Sequence, residues 1–157
     1  MHAREERREN YGWGMAIASR WADCDAYGHV NNAIYYSWFD TALTTLAIER
    51  GVLRGPAASI GLCVASGCEF LAPIEFPETV EARVRIGRIG DKSLRYEIAL
   101  FRDGEAVPAA VGHFTHVFVA PDTRRPVALT TEQKQAMADL VPATPATART
   151  TGPAHDG

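Results

Sequence analysis

The sequence has no long apolar run, no excess of positive charge and few cysteines, and each shortage argues against a class of protein. None of its apolar stretches reaches the roughly 18 residues that a membrane-spanning helix needs. The formal net charge is −3 and the arginines are scattered, which disfavours nucleic-acid binding. The first ten residues carry charges of both signs, unlike a secretory signal. We therefore expect a cytoplasmic protein that binds neither membranes nor nucleic acid.

The cysteines and histidines lack the spacing of a metal site. Cys24, Cys63 and Cys68 form no Cys-x-x-Cys pair that a second pair or suitably placed histidines could complete. His113 and His116 are three positions apart, an odd spacing, so they would lie on opposite faces of a strand. We expect reduced thiols, no metal and no cofactor.

Length and composition fit one folded domain. The chain has 157 residues, of which 46% are apolar, so it can bury a sizeable core. We predict a mobile charged arm over residues 1–13 and a single domain over residues 14–141. Residues 142–157 are rich in Pro, Ala and Thr, and we predict a disordered tail there.

One long helix follows a polar turn near the start of the domain. Asn31 or Asn32 can cap the beginning of this helix, and Gly51 fits its C-terminal stop, which predicts a helix over residues 33–50. Its apolar stripe is wide, so the helix should be mostly buried. Its first N–H groups would then lie beside Asp25 and could stabilise a developing negative charge.

The remaining segments read as strands because apolar and polar residues alternate along them. Strands are predicted over residues 15–21, 60–70, 79–89, 93–102 and 106–119, and a short surface helix over residues 130–140. Short turns join the strands that follow the long helix, which indicates an antiparallel sheet. An antiparallel sheet wrapped around one long central helix is an α+β domain.

The polar turn and the helix start carry the most specific motif of the sequence. It reads Asp25-Ala26-Tyr27-Gly28-His29-Val30-Asn31-Asn32, and Tyr35 follows. This motif resembles the Asp-x-x-Gly-His-Val-Asn-Asn-x-x-Tyr signature of hotdog-fold acyl-CoA thioesterases of the 4-hydroxybenzoyl-CoA thioesterase type. The resemblance covers about residues 15–120 and implies the hotdog fold.

The resemblance also implies an activity, which is hydrolysis of an acyl or aryl thioester to the free acid and CoA. It assigns the catalytic carboxylate to Asp25, as general base or nucleophile, and the oxyanion-binding N–H to Asn32. Family members pair two subunits around their active sites, so a homodimer or homotetramer is implied. The 4-hydroxybenzoyl enzyme itself has different residues after the glycine of the motif, so its particular substrate is not carried over.

Other residues of the motif and the helix are candidates for substrate contact: Gly28, His29, Asn31, Tyr35, Phe39 and Asp40. A bulky Phe39 would shorten the acyl channel, which favours short or medium acyl groups, or aryl groups. Asp40 lies two helical turns after Asn32, and it either meets the acyl group or bonds to a neighbouring hydroxyl or subunit. By resemblance, the CoA-binding candidates are Arg88, Lys92, Ser93 and Arg95.

Several alternatives remain open at this stage. Asp25 could simply hold the turn, as Asp residues often do, and Asp23 is interpreted as a turn or salt-bridge residue. His29 could orient the motif or be purely structural. A non-catalytic acyl-CoA or acyl-carrier-protein binding protein would use the same pocket, but it should lack the acid. A hotdog hydratase would show an Asp/His pair on a longer loop, and a Ser-dependent hydrolase would need a Gly-x-Ser-x-Gly elbow; the sequence has neither.

Overall fold

The fold is an antiparallel sheet with a long helix across one face. The computed structural model describes residues 2–53 and 59–143. Its main elements are β1 (Trp13–Ala18), α1 (Asn32–Glu49), β2 (Ile60–Phe70), β3 (Thr79–Ile89), β4 (Ser93–Arg102), β5 (Ala110–Val119) and α2 (Thr131–Ala138). Over these ranges, the strands form one sheet in the order β1-β3-β4-β5-β2, with every neighbouring pair antiparallel. The α+β hotdog fold predicted from the sequence is confirmed.

Some predictions fall outside this description. Of the predicted disordered tail over residues 142–157, the part from residue 144 onward lies outside the described residues. Across the described ranges, no helix is long and apolar enough to cross a membrane. The cytoplasmic location stays a prediction.

Helix α1 begins at a side-chain cap and ends at a glycine. The Asn31 side chain accepts the Ala33 N–H at 2.9 Å, which identifies Asn31 rather than Asn32 as the cap. Gly51 follows the helix with φ of 73°, a left-handed conformation that glycine adopts without steric cost. The side of the helix that faces the sheet is buried and consists of Tyr35, Trp38, Phe39, Ala42, Leu43, Leu46 and Ala47.

Helix α1 packs tightly against the sheet at Gly112. A Cβ atom on Gly112 would lie only 2.5 Å from Cε2 of Phe39, so a larger residue there would force the ring or its surroundings to shift. Phe39 is fully buried, and its ring meets the Phe114 ring edge-on with centroids 6.1 Å apart. Burial of one such ring stabilises a fold by about 2–3 kcal/mol. The absence of a side chain at Gly112 therefore leaves the space that the Phe39 ring occupies.

The opposite side of α1 is exposed, so the prediction of a mostly buried helix holds for one side only. Asp40, which we expected to be buried, is exposed together with Ser37, Thr41 and Thr44. The sheet of one chain covers one side of a helix, and these polar side chains lie on the other.

The first and last strands differ from their predicted bounds for local reasons. β1 begins at Trp13 and ends at Ala18, because residues Trp21–Asp23 form a turn of 3₁₀ helix instead of extending the strand. β5 begins at Ala110 instead of Ala106. Pro108 has no N–H to donate to a neighbouring strand, so the ladder starts only after it.

The N-terminal residues pack on the outer face of the sheet, so the prediction of a mobile arm is wrong. The buried Glu6 carboxylate accepts two hydrogen bonds from the Arg85 guanidinium, at 2.7 and 2.8 Å. The Arg85 guanidinium also lies 4.6 Å from the ring centre of Tyr11, and that of Arg8 lies 4.7 Å from the ring centre of Phe101. Charged residues of both signs near a terminus are usually exposed to solvent, so the sequence alone did not predict that Glu6 pairs with Arg85, 79 positions away.

Strand β2 forms an edge of the sheet and has no strand on its outer side within the described residues. It is 11 residues long, and its exposed apolar side chains include Leu62, Val64 and Phe70. A long edge strand with apolar side chains is a ready partner for the same strand of another chain. This edge supports the predicted homo-oligomer, which remains a prediction.

Replacing Val64 by Lys should prevent association through this edge. The Val64 side chain is 61% exposed, so a lysine fits in the monomer, and lysines on an edge strand oppose pairing with another strand. We expect light scattering at micromolar concentration to give a dimer or tetramer for the wild type and a monomer for Val64→Lys. The exposed Val107→Lys serves as the control and should associate like the wild type. A monomeric wild type would contradict the prediction.

Replacing Glu6 by Ala should release the N-terminal residues from the sheet. The Arg85 guanidinium would lose its bidentate partner but keep the Glu97 carboxylate at 3.3 Å. We therefore expect a free energy of unfolding roughly 3 kcal/mol lower, measured by urea denaturation, and faster trypsin cleavage near Arg7. The exposed Glu9→Ala is the control. Equal stability and equal cleavage of the two variants would show that the arm is not held by this ion pair.

Candidate active site

A buried carboxylate, that of Asp23, fixes the start of the polar turn, and the carbonyl of the same residue bonds to the end of the turn. Its oxygens accept hydrogen bonds from the Arg20 backbone N–H at 2.7 Å and from the Arg20 guanidinium at 2.7 and 3.0 Å. The carbonyl of Asp23 accepts the Asn31 N–H at 2.8 Å, immediately before α1. Hydrogen bonding to Arg20 lowers the pKa of the Asp23 carboxyl. The interpretation of Asp23 as a salt-bridge residue is confirmed.

Asp25 closes the turn with only part of its carboxylate. Its N–H donates to the His29 carbonyl at 2.8 Å, and its carbonyl accepts the Gly28 N–H at 3.1 Å. Its Oδ1 accepts the N–H of Tyr27 at 2.9 Å and that of His29 at 3.4 Å. Gly28 has φ of 78°, which the turn requires. Within the described chain Oδ2 has no hydrogen-bond donor, so Asp25 can hold the turn and still offer an oxygen to a ligand.

The beginning of α1 presents an N–H group beside this turn. The Asn31 side chain accepts the Ala33 N–H, and the Asn31 carbonyl accepts the Ile34 N–H at 2.9 Å. The N–H of Asn32, the first residue of α1, has no acceptor among the residues that the structure describes. An unpaired N–H at the positive end of a helix dipole can donate to a negatively charged oxygen.

Asp25 and Asn32 line the same open cleft, which has a volume of about 360 Å³. The remaining lining residues are His29, Val30, Tyr35, Phe70, Leu71, Ala72 and Pro73. The Phe70 ring stands edge-on to the Tyr35 ring, with centroids 5.0 Å apart. Burial raises the pKa of Tyr35, so its hydroxyl stays neutral. The cleft thus combines a carboxylate, a free N–H and an aromatic wall.

The loop before β3 supports the polar turn from a distant part of the sequence. The Val30 N–H donates to the Ile74 carbonyl at 2.7 Å, and His29 and Glu75 form an isolated antiparallel bridge. The side chains also meet, with His29 Nε2 3.5 Å from Glu75 Oε1. His29 therefore both lines the cleft and fixes the turn. Ile74, Glu75 and Phe70 were missed by the sequence reasoning, because no local pattern connects them to Asp25.

The structure does not bring Phe39 and Asp40 to the cleft. Phe39 is fully buried beneath Gly112, so its position does not match the predicted contact with an acyl group. Tyr35 and Phe70 form the aromatic wall instead. Asp40 is exposed, and its charge acts on His116. Burial lowers the pKa of His116, and the nearby Asp40 carboxylate partly opposes this effect.

The CoA-binding candidates lie at the other end of the sheet within one chain. The chain reaches Asp25 shortly after β1 ends at Ala18, and Ala18 pairs with Thr79 at the start of β3. Asp25 is therefore near the end of the sheet where β3 begins. Arg88, Lys92, Ser93 and Arg95 surround the turn after β3, at the opposite end. Their contact with CoA is still a prediction, and it would need a second chain.

Comparisons with known proteins agree with this fold. The chain belongs to the thioesterase-like superfamily, whose family model matches residues 19–137. It is similar to the PA5185 protein from Pseudomonas aeruginosa strain PAO1, with 45% sequence identity over 86% of this chain and 95% of that one, and a TM-score of 0.80. Membership of the family supports thioester hydrolysis as the general activity.

Two more distant structures share the fold. A gentisyl-coenzyme A thioesterase is 24% identical over 80% of this chain and 99% of its own, with a TM-score of 0.69. A 1,4-dihydroxy-2-naphthoyl-CoA thioesterase from Synechocystis is 16% identical over 81% of this chain and 96% of its own, with a TM-score of 0.72. A search of the curated proteins found no match.

Replacing Asp23 by Asn should change how stability depends on pH. Because its folded pKa is lowered, the ionised Asp23 stabilises the fold above its unfolded pKa of about 3.9, and this stabilisation disappears as pH falls through the folded pKa. Asp23→Asn lacks this contribution, so its free energy of unfolding should decrease less than that of the wild type between about pH 5 and pH 2. Urea denaturation across this range tests the slope, with the exposed Asp103→Asn as control. Parallel curves for wild type and Asp23→Asn would contradict the assignment.

Proposed function

We propose that this protein is an acyl-CoA thioesterase, which hydrolyses an acyl or aryl thioester to the free acid and CoA. The observation that carries the proposal is the shared cleft of the Asp25 carboxylate and the unpaired Asn32 N–H. Thioester hydrolysis needs an attacking oxygen and a donor for the carbonyl oxygen, and these two groups supply both. The thioesterase family supports the general reaction, and the two neighbours named after CoA thioesters are compatible with CoA as the leaving group.

The reaction follows from these positions. The thioester carbonyl oxygen accepts the Asn32 N–H, and the helix dipole stabilises the negative charge that develops there. Oδ2 of Asp25 either takes a proton from the attacking water or attacks the carbonyl carbon to form an anhydride that water then opens. In both routes the carbon–sulfur bond breaks, CoA leaves as the thiol or thiolate, and the acyl group leaves as a carboxylate. No cofactor takes part.

The neighbouring residues divide the remaining tasks. Val30, Tyr35 and Phe70 form the apolar wall for the acyl group. Gly28 and His29 shape the turn that holds Asp25, and Asn31 caps the helix so that the next N–H stays free. These tasks follow from the contacts, since each residue touches the cleft, the turn or the cap.

A second copy would complete the site if two β2 strands pair antiparallel. Such pairing sets the Phe70 end of one strand beside the Ile60 end of the other, so the far half of one subunit approaches the cleft of its mate. Asp40 could then contact the acyl group, and Arg88, Lys92, Ser93 and Arg95 of a neighbouring subunit could approach the CoA. A homodimer, or a homotetramer of two such dimers, is therefore part of the proposal.

Replacing Asp25 by Asn tests the proposal directly. Asn keeps an acceptor oxygen for the Tyr27 and His29 N–H groups, so the turn and the fold should persist. We expect kcat on acyl-CoA and aryl-CoA thioesters to fall by about two orders of magnitude or more, while the free energy of unfolding changes little. Asp103→Asn, which removes an exposed carboxylate far along the chain, should keep wild-type kcat.

Two results would count against the proposal. Near-wild-type turnover by a folded Asp25→Asn variant would remove Asp25 from the reaction. Tight binding of acyl-CoA or an acyl carrier protein by a wild type that hydrolyses no thioester would instead favour a non-catalytic binding protein.

A further inference from the structure

Three aromatic side chains stand exposed around the Asp25 turn, and we call them the aromatic rim: Trp21, Tyr27 and Phe76. Trp21 is 75% exposed and Tyr27 is 85% exposed. The Trp21 ring meets the Phe76 ring edge-on, with centroids 5.9 Å apart. Large apolar side chains that cluster on a surface usually mark a binding site. This cluster is not used by the hydrolytic mechanism described above.

The aromatic rim is tied to the cleft by short connections. The Trp21 carbonyl accepts the N–H of Cys24, the residue before Asp25, at 3.2 Å. Asp25 is four positions after Trp21 in the chain, so their Cα atoms are at most about 14 Å apart. Phe76 directly follows Glu75, which bridges to His29 on the cleft wall. A ligand that leaves the cleft on this side therefore passes the aromatic rim.

The proposed substrate has a large part that the cleft cannot hold. With the carbonyl at Asn32 and the acyl group against Tyr35 and Phe70, the pantetheine arm and the nucleotide must lie outside. A nucleotide offers a flat base and negatively charged phosphates. Arg20, beside Trp21, is 72% exposed, and it bonds to Asp23 through Nε and Nη2, which leaves Nη1 for another acceptor.

The geometry points to the aromatic rim as the binding site for the adenine base of CoA, an inference that rests on the proposed function. The base stacks on the free face of the Trp21 ring, which Phe76 supports from its edge, and Arg20 faces the phosphates. The substrate is then a free CoA thioester. A carrier-protein thioester has no base to stack there.

The test compares substrates with and without the nucleotide. One thioester carries CoA, and the other carries the same acyl group on N-acetylcysteamine, which ends before the nucleotide. For Trp21→Ala, we expect the ratio of kcat/KM on the CoA thioester to kcat/KM on the truncated thioester to fall roughly tenfold. Trp21→Phe keeps a ring and should restore most of the ratio. Val107→Ala, which truncates an exposed apolar side chain away from the cleft, should leave it unchanged.

A direct binding measurement makes the result independent of turnover. Calorimetry with CoA alone should show binding to the wild type that weakens roughly tenfold in Trp21→Ala, whereas pantetheine should bind both proteins equally and more weakly than CoA binds the wild type. An unchanged ratio together with unchanged CoA binding would overturn the adenine site and leave thioester hydrolysis standing. A wild type that binds CoA but hydrolyses neither thioester would overturn the proposed function and leave the site standing. A change of oligomeric state in Trp21→Ala, seen by light scattering, would identify the rim as a contact between copies and overturn the inference.

Discussion

The hydrogen bonding of one buried carboxylate holds the candidate site together. Asp23 lies where β1 has ended and α1 has not begun, and its side chain and carbonyl bond to both sides of that gap. An ionised group is costly to bury unless it is fully paired, and the Arg20 guanidinium supplies that pairing. The main chain between Asp23 and Asn31 is thereby fixed at both ends. Asp25 and the Asn32 N–H are brought to one cleft because this short segment has little freedom left.

Local patterns were sufficient to predict most of the fold. The alternation of Val80, Ala82 and Val84 along β3 identifies the inner face of the sheet, and those side chains are fully buried. Two adjacent asparagines, Asn31 and Asn32, were the candidate caps of α1, so the sequence predicted the start of the helix to within one residue. The hydrogen bond from the Ala33 N–H to the Asn31 side chain identifies Asn31 as the cap. The motif from Asp25 onward predicted a carboxylate beside a helix start because both lie within one short stretch. The strand alternation, the helix cap and the motif all depend on residues that are close in the sequence, so the sequence alone is enough to predict them.

The features that sequence reasoning missed depend on neighbours in space. Glu75 supports His29 although it lies 46 positions later in the sequence, and Phe70 faces Tyr35 from the opposite side of the cleft. The pairing of Glu6 with Arg85 turned an apparent loose arm into part of the folded unit. Phe39 was expected near the substrate because it lies on the helix that begins at the site. The missing information was Gly112 on β5, which leaves space for the Phe39 ring in the core.

The contact between Phe39 and Gly112 has an evolutionary consequence. A side chain at position 112 and a full ring at position 39 compete for the same space, so neither position can change freely while the other is kept. Related sequences should therefore vary at these two positions together, with a larger residue on the strand accompanied by a smaller one on the helix. Drift at either position alone would shift α1, and with it the Asn32 N–H, relative to the sheet edge that carries Phe70. Coupled substitution at positions 39 and 112 would thus preserve the position of the Asn32 N–H at the beginning of α1.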